Sequence, residues 1–121
     1  MRVIIAGSRD VTQLQFDKAI EEIPWAPSVV VCGMARGVDL MGKSWAERNR
    51  IPVAEFPANW NPGGGAVDRS AGYKRNVQMA NSADALFAIW DGESKGTKHM
   101  IDIAMKKNLP VSVHIVADAP Q

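Results

Sequence analysis

The chain has 121 residues, of which 46% are hydrophobic and 22% charged, and its formal net charge is +1. This balance is typical of one globular domain and excludes a disordered tail, a collagen-like chain and a coiled coil. The single cysteine, Cys32, excludes an intramolecular disulfide and a zinc site built from several cysteines. A nucleic-acid binder usually has a strongly basic surface, so binding to nucleic acid is not expected here.

The amino-terminal segment, MRVIIAGSRD, carries only a four-residue apolar run. That run is too short for a signal peptide, and no segment approaches the roughly 20 apolar residues of a membrane span. We therefore expect a cytoplasmic protein with no membrane partner.

The first half of the chain alternates strands with helices. Arg2–Ala6 and Ser28–Cys32 are apolar, β-branched runs that end at a glycine, as buried strands do. Between them, Thr12 and Gln15 form a capping box that opens a helix, and Pro24 ends it. The same patterns predict a second helix and a third strand, at Gly37–Arg50 and Pro52–Phe56.

A long segment without periodicity follows, PANWNPGGGAVDRSAG. A structureless stretch of this length is uncommon in a compact domain and is usually functional or disordered. Its glycines Gly63–Gly65 would give it the flexibility of a lid.

The second half returns to the same alternation. Ser70 is predicted to cap a third helix that runs to about Asn81, with Tyr73, Val77 and Ala80 facing inward. The remaining elements are predicted as strand Ala83–Trp90, helix Thr97–Asn108, strand Pro110–Val116 and a frayed end at Ala117–Gln121. The buried face of the last helix is predicted to consist of Met100, Ile101, Ala104 and Met105.

Five apolar strands that alternate with four helices predict a parallel sheet covered on both faces. Right-handed crossovers then give an α/β fold of three layers, Rossmann-like and doubly wound, with a five-stranded, mainly parallel sheet. Because no boundary is visible, a single domain over residues 1–121 is expected.

Ligands bind such sheets at the carboxyl ends of the strands, where the strand order reverses. Three loops at these ends, Gly7–Asp10, Gly33–Asp39 and Asp91–Thr97, combine glycine with a cation. Glycine lets the backbone approach a ligand closely, and helix N-termini offer free N–H groups to anions. Full charges would come from Arg9, Arg36, Arg75, Lys95 and Lys98. A phosphate-bearing small molecule, most plausibly a nucleotide, is the expected ligand.

Each feature also has a purely structural explanation. Gly33 and Gly37 could serve simply to end a strand and start a helix. Gly96 and Thr97 could serve simply as a turn and a helix cap. Asp39 could simply favour its helix N-terminus. The coincidence of three such loops at one sheet edge favours a site. Neither the GxGxxG fingerprint nor the Walker loop is present, which disfavours an ordinary dehydrogenase or NTPase.

Four other side chains are candidates with alternatives. Trp60 could stack on a base, cover the core or form an interface. Asp91 and Glu93 could bind a ribose hydroxyl or Mg²⁺, although acidic turns are common. Arg75 could be a solvated helix residue, but it comes just after the long segment. His99 and His114 are too far apart to indicate a metal pair, and no metal site is predicted.

Short motifs in a fixed order resemble one known family. They are Gly7-Ser8-Arg9-Asp10, Ala35-Arg36-Gly37-Val38-Asp39, Phe56-Pro57-Ala58-Asn59-Trp60, Arg75-Asn76 with Met79, and Trp90-Asp91-Gly92 running to Lys95-Gly96-Thr97-Lys98-His99-Met100. Over roughly residues 1–116 the chain thus resembles the YspA, cpYpsA-related family of the SLOG superfamily, which occurs in bacteria and their phages. This superfamily also contains DprA-like DNA-binding proteins and the LOG phosphoribohydrolases.

The resemblance implies a pocket for a nucleotide or nucleotide-derived ligand, no certain cofactor besides it, and a homo-oligomer such as a dimer. It places Gly33, Arg36, Gly37, Gly96 and Thr97 around the phosphate or ribose. Arg75 resembles the arginine that LOG enzymes carry on a helix beside the site. With the loop analysis, the predicted ligand-binding set is Gly7, Ser8, Arg9, Gly33, Arg36, Gly37, Asp39, Trp60, Arg75, Asn76, Asp91, Gly92, Lys95, Gly96 and Thr97.

One departure from the LOG pattern bears on activity. LOG enzymes carry a PGGxGTxxE motif whose glutamate assists cleavage of an N-glycosidic bond, and the residue here is Met100. A thioether cannot exchange a proton or stabilise an oxocarbenium ion as a carboxylate can. The first expectation is therefore a binding domain that acts as a sensor or sequestering protein.

Two alternatives stay open. One is an enzyme, a nucleotide N-glycosidase or phosphohydrolase, in which Asp91, Glu93 or Asp39 would substitute for the glutamate. The candidate catalytic residues are Arg75, Asp91 and Glu93. The other is nucleic-acid binding as in the DprA-like relatives, against which the net charge of +1 argues.

Overall fold

A computed structural model describes residues 1–116 and confirms the predicted fold class. In chain order the described strands are β1 (Arg2–Gly7), β2 (Val29–Cys32), β3 (Val53–Glu55), β4 (Ala85–Trp90) and β5 (Val111–Ile115). The described helices are α1 (Gln13–Ile20), α2 (Val38–Arg48), α3 (Ala71–Ser82) and α4 (Lys95–Lys106). The end predicted to fray, residues 117–121, lies outside this part of the chain.

The strands form one sheet in the order β3-β2-β1-β4-β5, and every neighbouring pair is parallel. The chain moves outward from β1 through β2 to β3, then crosses back to β4 beside β1 and continues to β5. The order therefore reverses between β1 and β4. In a sheet of this kind that position opens a crevice at the carboxyl ends of the strands.

Two hydrophobic clusters fill the space between the sheet and its helices. Val3 and Ile5 face α1 and α2, where Phe16 is fully buried. Ile4 faces the other side and packs with Met100 of α4. Burial of each such side chain contributes about 1.5–3 kcal/mol, so the alternation of residues along the central strands holds both layers in place.

Local signals explain where several elements begin. Thr12 Oγ1 accepts from the backbone N–H of Gln15 at 3.1 Å, and Gln15 Oε1 accepts from the N–H of Thr12 at 2.9 Å. The predicted capping box is thus confirmed, although α1 ends at Ile20, before Pro24. Ser70 occupies the N-cap position of α3 but accepts no capping hydrogen bond, and its hydroxyl donates to Asp68 Oδ1 at 2.6 Å.

Two predictions about buried residues were wrong. Tyr73, expected to face inward, is 46% exposed, because the first turn of α3 lies at the sheet edge and lines a cavity there. Met105 is 60% exposed. It lies about 90° around the helix from the centre of the stripe through which α4 contacts the sheet.

The last helix also begins earlier than predicted, at Lys95 instead of Thr97. Asp91 Oδ1 accepts from the N–H groups of Glu93 and Ser94 at 2.9 and 2.8 Å, which closes the preceding turn and brings Ser94 to the N-cap position. Among the helices of residues 1–116, none combines the length and the apolar character that crossing a bilayer requires.

We expect Gly7→Ala to lower the free energy of unfolding by about 1–3 kcal/mol, measured by urea denaturation. A Cβ at Gly7 would lie 2.1 Å from the carbonyl oxygen of Ile89 and 2.8 Å from Val38 Cγ2, so β1, β4 and α2 would have to separate. The control is Gly63→Ala, where no atom lies within 4 Å of the added carbon. Equal stability of the two variants would contradict this packing.

Candidate functional site

A cavity of about 410 Å³ lies at the carboxyl edge of the sheet. Its wall comes from the loops after β1, β2 and β3 and from the first turns of α3 and α4. This is the edge at which the order of the strands reverses. Nine residues of the predicted ligand-binding set line it, namely Gly7, Arg9, Gly33, Asp39, Trp60, Arg75, Asn76, Gly96 and Thr97.

A second cavity adjoins the first and shares Arg9, Ser94 and Gly96 with it. The candidate acids Asp91 and Glu93 line this second cavity. Hydrogen bonds from the N–H groups of Ser94 and Glu93 hold the pKa of Asp91 below its usual range. Asp91 therefore stays a carboxylate, and these hydrogen bonds in the turn before α4 explain why an acid occupies this position.

Two predicted residues serve the walls instead of lining either cavity. Ser8 is buried, and its Oγ accepts from the N–H of Asp91 at 3.0 Å, which joins the loops after β1 and β4. Gly37 has a φ of +84°, and a Cβ there would lie 2.6 Å from Arg9 Cα. Both positions hold neighbouring loops together.

Three further predicted residues lie outside both cavities. Arg36 and Lys95 are exposed, and Gly92 lies in the turn before α4 with a φ of +83°. The structure therefore does not bring these three side chains or positions into the described cavity walls.

Arg75 is held in a fixed orientation by its neighbours. Its Nη1 donates to the carbonyl oxygen of Gly33, and its Nε donates to Asn76 Oδ1 at 3.1 Å. The Asn76 side-chain amide donates in turn to the carbonyl oxygen of Gly96 at 3.3 Å and to His99 Nδ1 at 3.0 Å. One hydrogen-bonded chain thus connects the loop after β2 to α3 and to the start of α4.

The sequence indicates only that His99 and His114 do not form a metal pair, and it does not predict the place of His99 in this hydrogen-bonded chain. Burial lowers the pKa of His99, which favours the neutral ring that can accept from Asn76. The same ring packs against Tyr73, with centroids 4.3 Å apart. No local pattern indicates the contact of His99 with Asn76, because it joins two helices and the residues lie 23 positions apart.

Asp39 is a buried carboxyl on the cavity wall, with 5% of its surface exposed. Its Oδ2 accepts from the N–H of Ala35 at 3.3 Å. Burial raises its pKa to about 6, although the Arg75 guanidinium and the N–H groups of Ala35 and Gly7 act in the opposite direction. A group that exchanges protons near neutral pH therefore lines the cavity.

Sequence reasoning missed a further arginine of the wall, Arg69. It lies in the long segment, where no periodicity could place it. The base of that segment is closed by Asp68, whose N–H donates to the Trp60 carbonyl oxygen at 2.6 Å. Lys74 lies 2.8 Å from the Asp68 carboxylate and, together with Ser70, holds the pKa of Asp68 at about 2.

The glycine tip of the segment is surrounded by open space, and the N–H of Gly64 donates to the Asn61 carbonyl oxygen at 3.2 Å within its own turn. A Cβ at any of Gly63, Gly64 or Gly65 would find no atom within 4 Å. Lid movement of this tip stays a prediction.

We expect the unfolding free energy of the wild type to fall relative to that of Asp39→Asn as pH rises. Between its ordinary pKa of 3.8 and the folded value of about 6, the folded state keeps the Asp39 proton while the unfolded chain has released it. The unfolding free energy of the wild type therefore falls through this window, by about 3 kcal/mol relative to the variant.

Urea denaturation between pH 4 and pH 7.5 measures this difference. The same comparison for Asp17→Asn is the control, because the Asp17 side chain lies on the exposed side of α1. A difference between wild type and Asp39→Asn that stays constant with pH would contradict the burial of an ionisable carboxyl.

Comparison with known proteins agrees with the resemblance in the motifs. The profile of the YspA, cpYpsA-related SLOG family, YAcAr, matches residues 1–63. The gene 61 protein of Mycobacterium phage D29 is 35% identical over 121 aligned residues, which cover 91% of this chain and 93% of that protein. No solved structure gives a significant match. The chain therefore belongs to the YspA, cpYpsA-related SLOG family.

Proposed function

We propose that the protein binds a nucleotide or nucleotide-derived small molecule in the cavity at the carboxyl edge of the sheet, as a sensor or sequestering protein. The observation that carries this proposal is the convergence of Arg9, Arg69 and Arg75 with the N-terminus of α4 on one cavity. The dimer and the cytoplasmic location expected from the sequence stay predictions.

The local charge of the cavity supports an anionic ligand. The whole chain carries a formal net charge of only +1. Of the residues that line the main cavity, three are arginines and one, Asp39, is an acid. Arginine forms paired, charge-assisted hydrogen bonds with phosphate oxygens, so this concentration of charge favours a phosphate group.

The start of α4 supports the same ligand class. The Ser94 hydroxyl pairs with Thr97 Oγ1 at 3.3 Å and caps no backbone N–H, so the N–H of Lys98 is the first in α4 with a backbone partner, the Ser94 carbonyl oxygen at 3.1 Å. The preceding N–H groups lack intrahelical acceptors and carry the positive end of the helix dipole. No atom lies within 4 Å of a Cβ at Gly96, so space for an anion remains in front of this turn.

The size and composition of the cavity suit a small molecule. Its volume of about 410 Å³ falls within the range of ligand pockets. Apolar and aromatic walls from Met79, Trp60 and Tyr73 accompany the charged groups. This combination fits a ligand with both an apolar part and an anionic part.

We expect Arg9→Ala to weaken nucleotide binding by about 1.5–3 kcal/mol, the usual value of a hydrogen bond to a charged group. Arg9 is exposed and lines both cavities, so its loss removes a charge without removing a buried contact. Titration calorimetry with nucleoside monophosphates, ADP-ribose and cyclic dinucleotides provides the measurement.

The control is Arg48→Ala, in the last turn of α2 and therefore at the opposite edge of the sheet. Its affinity should equal that of the wild type. Absence of binding by any nucleotide in the panel, with none released from the denatured purified protein, would overturn the proposal.

One observation favours hydrolysis as the second candidate. Asp39 lines the cavity with a pKa of about 6, within the range that suits a general acid or base. In the hydrolysis of an N-glycosidic bond, Asp39 would take the role of the LOG motif glutamate, whose position here is Met100. Met100 itself lines the cavity and offers only its thioether.

Chromatography of nucleoside monophosphates incubated with the protein tests this second candidate. Turnover would release the free base, and Asp39→Asn would abolish that release while binding persists, because the variant keeps an acceptor oxygen for Ala35. Tight binding without any free base after long incubation would exclude hydrolysis of these nucleotides.

A further inference from the structure

Two half-exposed aromatic rings lie on the wall of the main cavity. Trp60 is 45% exposed and Tyr73 is 46% exposed, and both line the cavity. Trp60 comes from the long segment and Tyr73 from the first turn of α3. Trp60 lies against Gly72, the residue that precedes Tyr73, because a Cβ at Gly72 would lie 3.4 Å from Trp60 Cη2.

Neither ring is needed by the hydrophobic core. The other tryptophans, Trp25, Trp45 and Trp90, pack against one of the two buried clusters of residues 1–116. Within the same residues, Trp60 and Tyr73 belong to neither cluster. Large aromatic side chains that are left half-exposed in a concave site are typical of ligand contacts.

The backbone of Trp60 and the ring of Tyr73 are nevertheless anchored. The Trp60 carbonyl oxygen accepts from the N–H of Asp68 at 2.6 Å, and Lys74 pairs with the Asp68 carboxylate at 2.8 Å. Tyr73 packs on His99, whose ring is in turn hydrogen-bonded to Asn76. Fixing the backbone of one residue and the ring of the other lowers the conformational entropy that ligand binding would cost.

The aromatic wall adjoins the charged part of the cavity. The position of a Cβ at Gly72 lies 3.7 Å from Arg75 Nη2. A planar group placed on the wall would therefore have its substituent next to the Arg75 guanidinium. This arrangement matches a nucleotide, in which a planar base is joined through ribose to a phosphate.

We propose that Trp60 and Tyr73 form a base-binding wall, on which the planar aromatic base of the nucleotide stacks. This inference rests on the proposed function and narrows its ligand to molecules that keep the base, in contrast to sugar phosphates or inorganic phosphate. Aromatic side chains stack on every nucleobase, and removing one typically weakens binding about 5- to 150-fold.

The test compares ligands with and without a base. Calorimetry measures the affinity of AMP, GMP, CMP, UMP and ribose 5-phosphate for the wild type, Trp60→Leu and Tyr73→Leu. We expect both variants to weaken the tightest nucleoside monophosphate about 5- to 150-fold and ribose 5-phosphate less than about twofold. Trp60→Phe and Tyr73→Phe keep an aromatic face and should restore most of the affinity.

A spectroscopic readout accompanies the affinities. In ¹H–¹⁵N spectra the indole N–H signal of Trp60, assigned from its loss in Trp60→Phe, should shift with the nucleotide but not with ribose 5-phosphate. The signal of Trp25, which packs against the core, should not shift. The same spectra show that each variant is folded.

Other outcomes overturn the inference. Equal weakening of both ligand types would mean that the rings only shape the cavity, and unchanged affinities would mean that the base lies elsewhere. If Arg9→Ala weakens the binding of a nucleotide and Trp60→Leu does not, the proposed function is supported and the base-binding wall is rejected. If no nucleotide binds the wild type, both are overturned.

Discussion

The missing side chain at Gly33 is the constraint on which the site depends. A Cβ there would lie 2.6 Å from Asp39 Oδ2 and 2.9 Å from Arg75 Nη1, so only glycine lets the acid and the guanidinium approach this turn together. That approach allows Arg75 to donate to the Gly33 carbonyl oxygen and keeps a positive charge beside a buried carboxyl. Without it, α3 and the loop after β2 would have to separate.

The number of hydrogen bonds that fix the cavity wall decreases from this junction toward the long segment. Asn76 connects Arg75 to the start of α4, and Ser8 connects the loops after β1 and β4, so two sets of hydrogen bonds hold the loops and helices around the cavity together. The part of the cavity wall that the long segment supplies has fewer hydrogen bonds. Asp68 closes the base of the long segment, while the open space around its glycine tip leaves that tip bonded only within its own turn, from the N–H of Gly64 to the Asn61 carbonyl oxygen.

Much of this arrangement follows from local sequence, and the rest does not. The β-branched runs and the Thr12–Gln15 capping box act over a few residues, so the strands and α1 were predictable. The exposure of Tyr73 depends on where the sheet ends beneath α3, which no periodicity reveals. The raised pKa of Asp39 and the contact of His99 depend on burial between elements distant in sequence.

The long segment follows the shortest strand of the sheet. β3 is an edge strand of only three residues, paired with β2 alone, whereas β1 and β4 pair over five positions at the centre of the sheet. Arg9 and the start of α4 thus follow the most extensively paired strands, whereas Trp60 and Arg69 follow the least paired one. Changes of length or sequence in the long segment therefore alter the part of the cavity wall that Trp60 and Arg69 supply, without touching the pairing of β1 with β4.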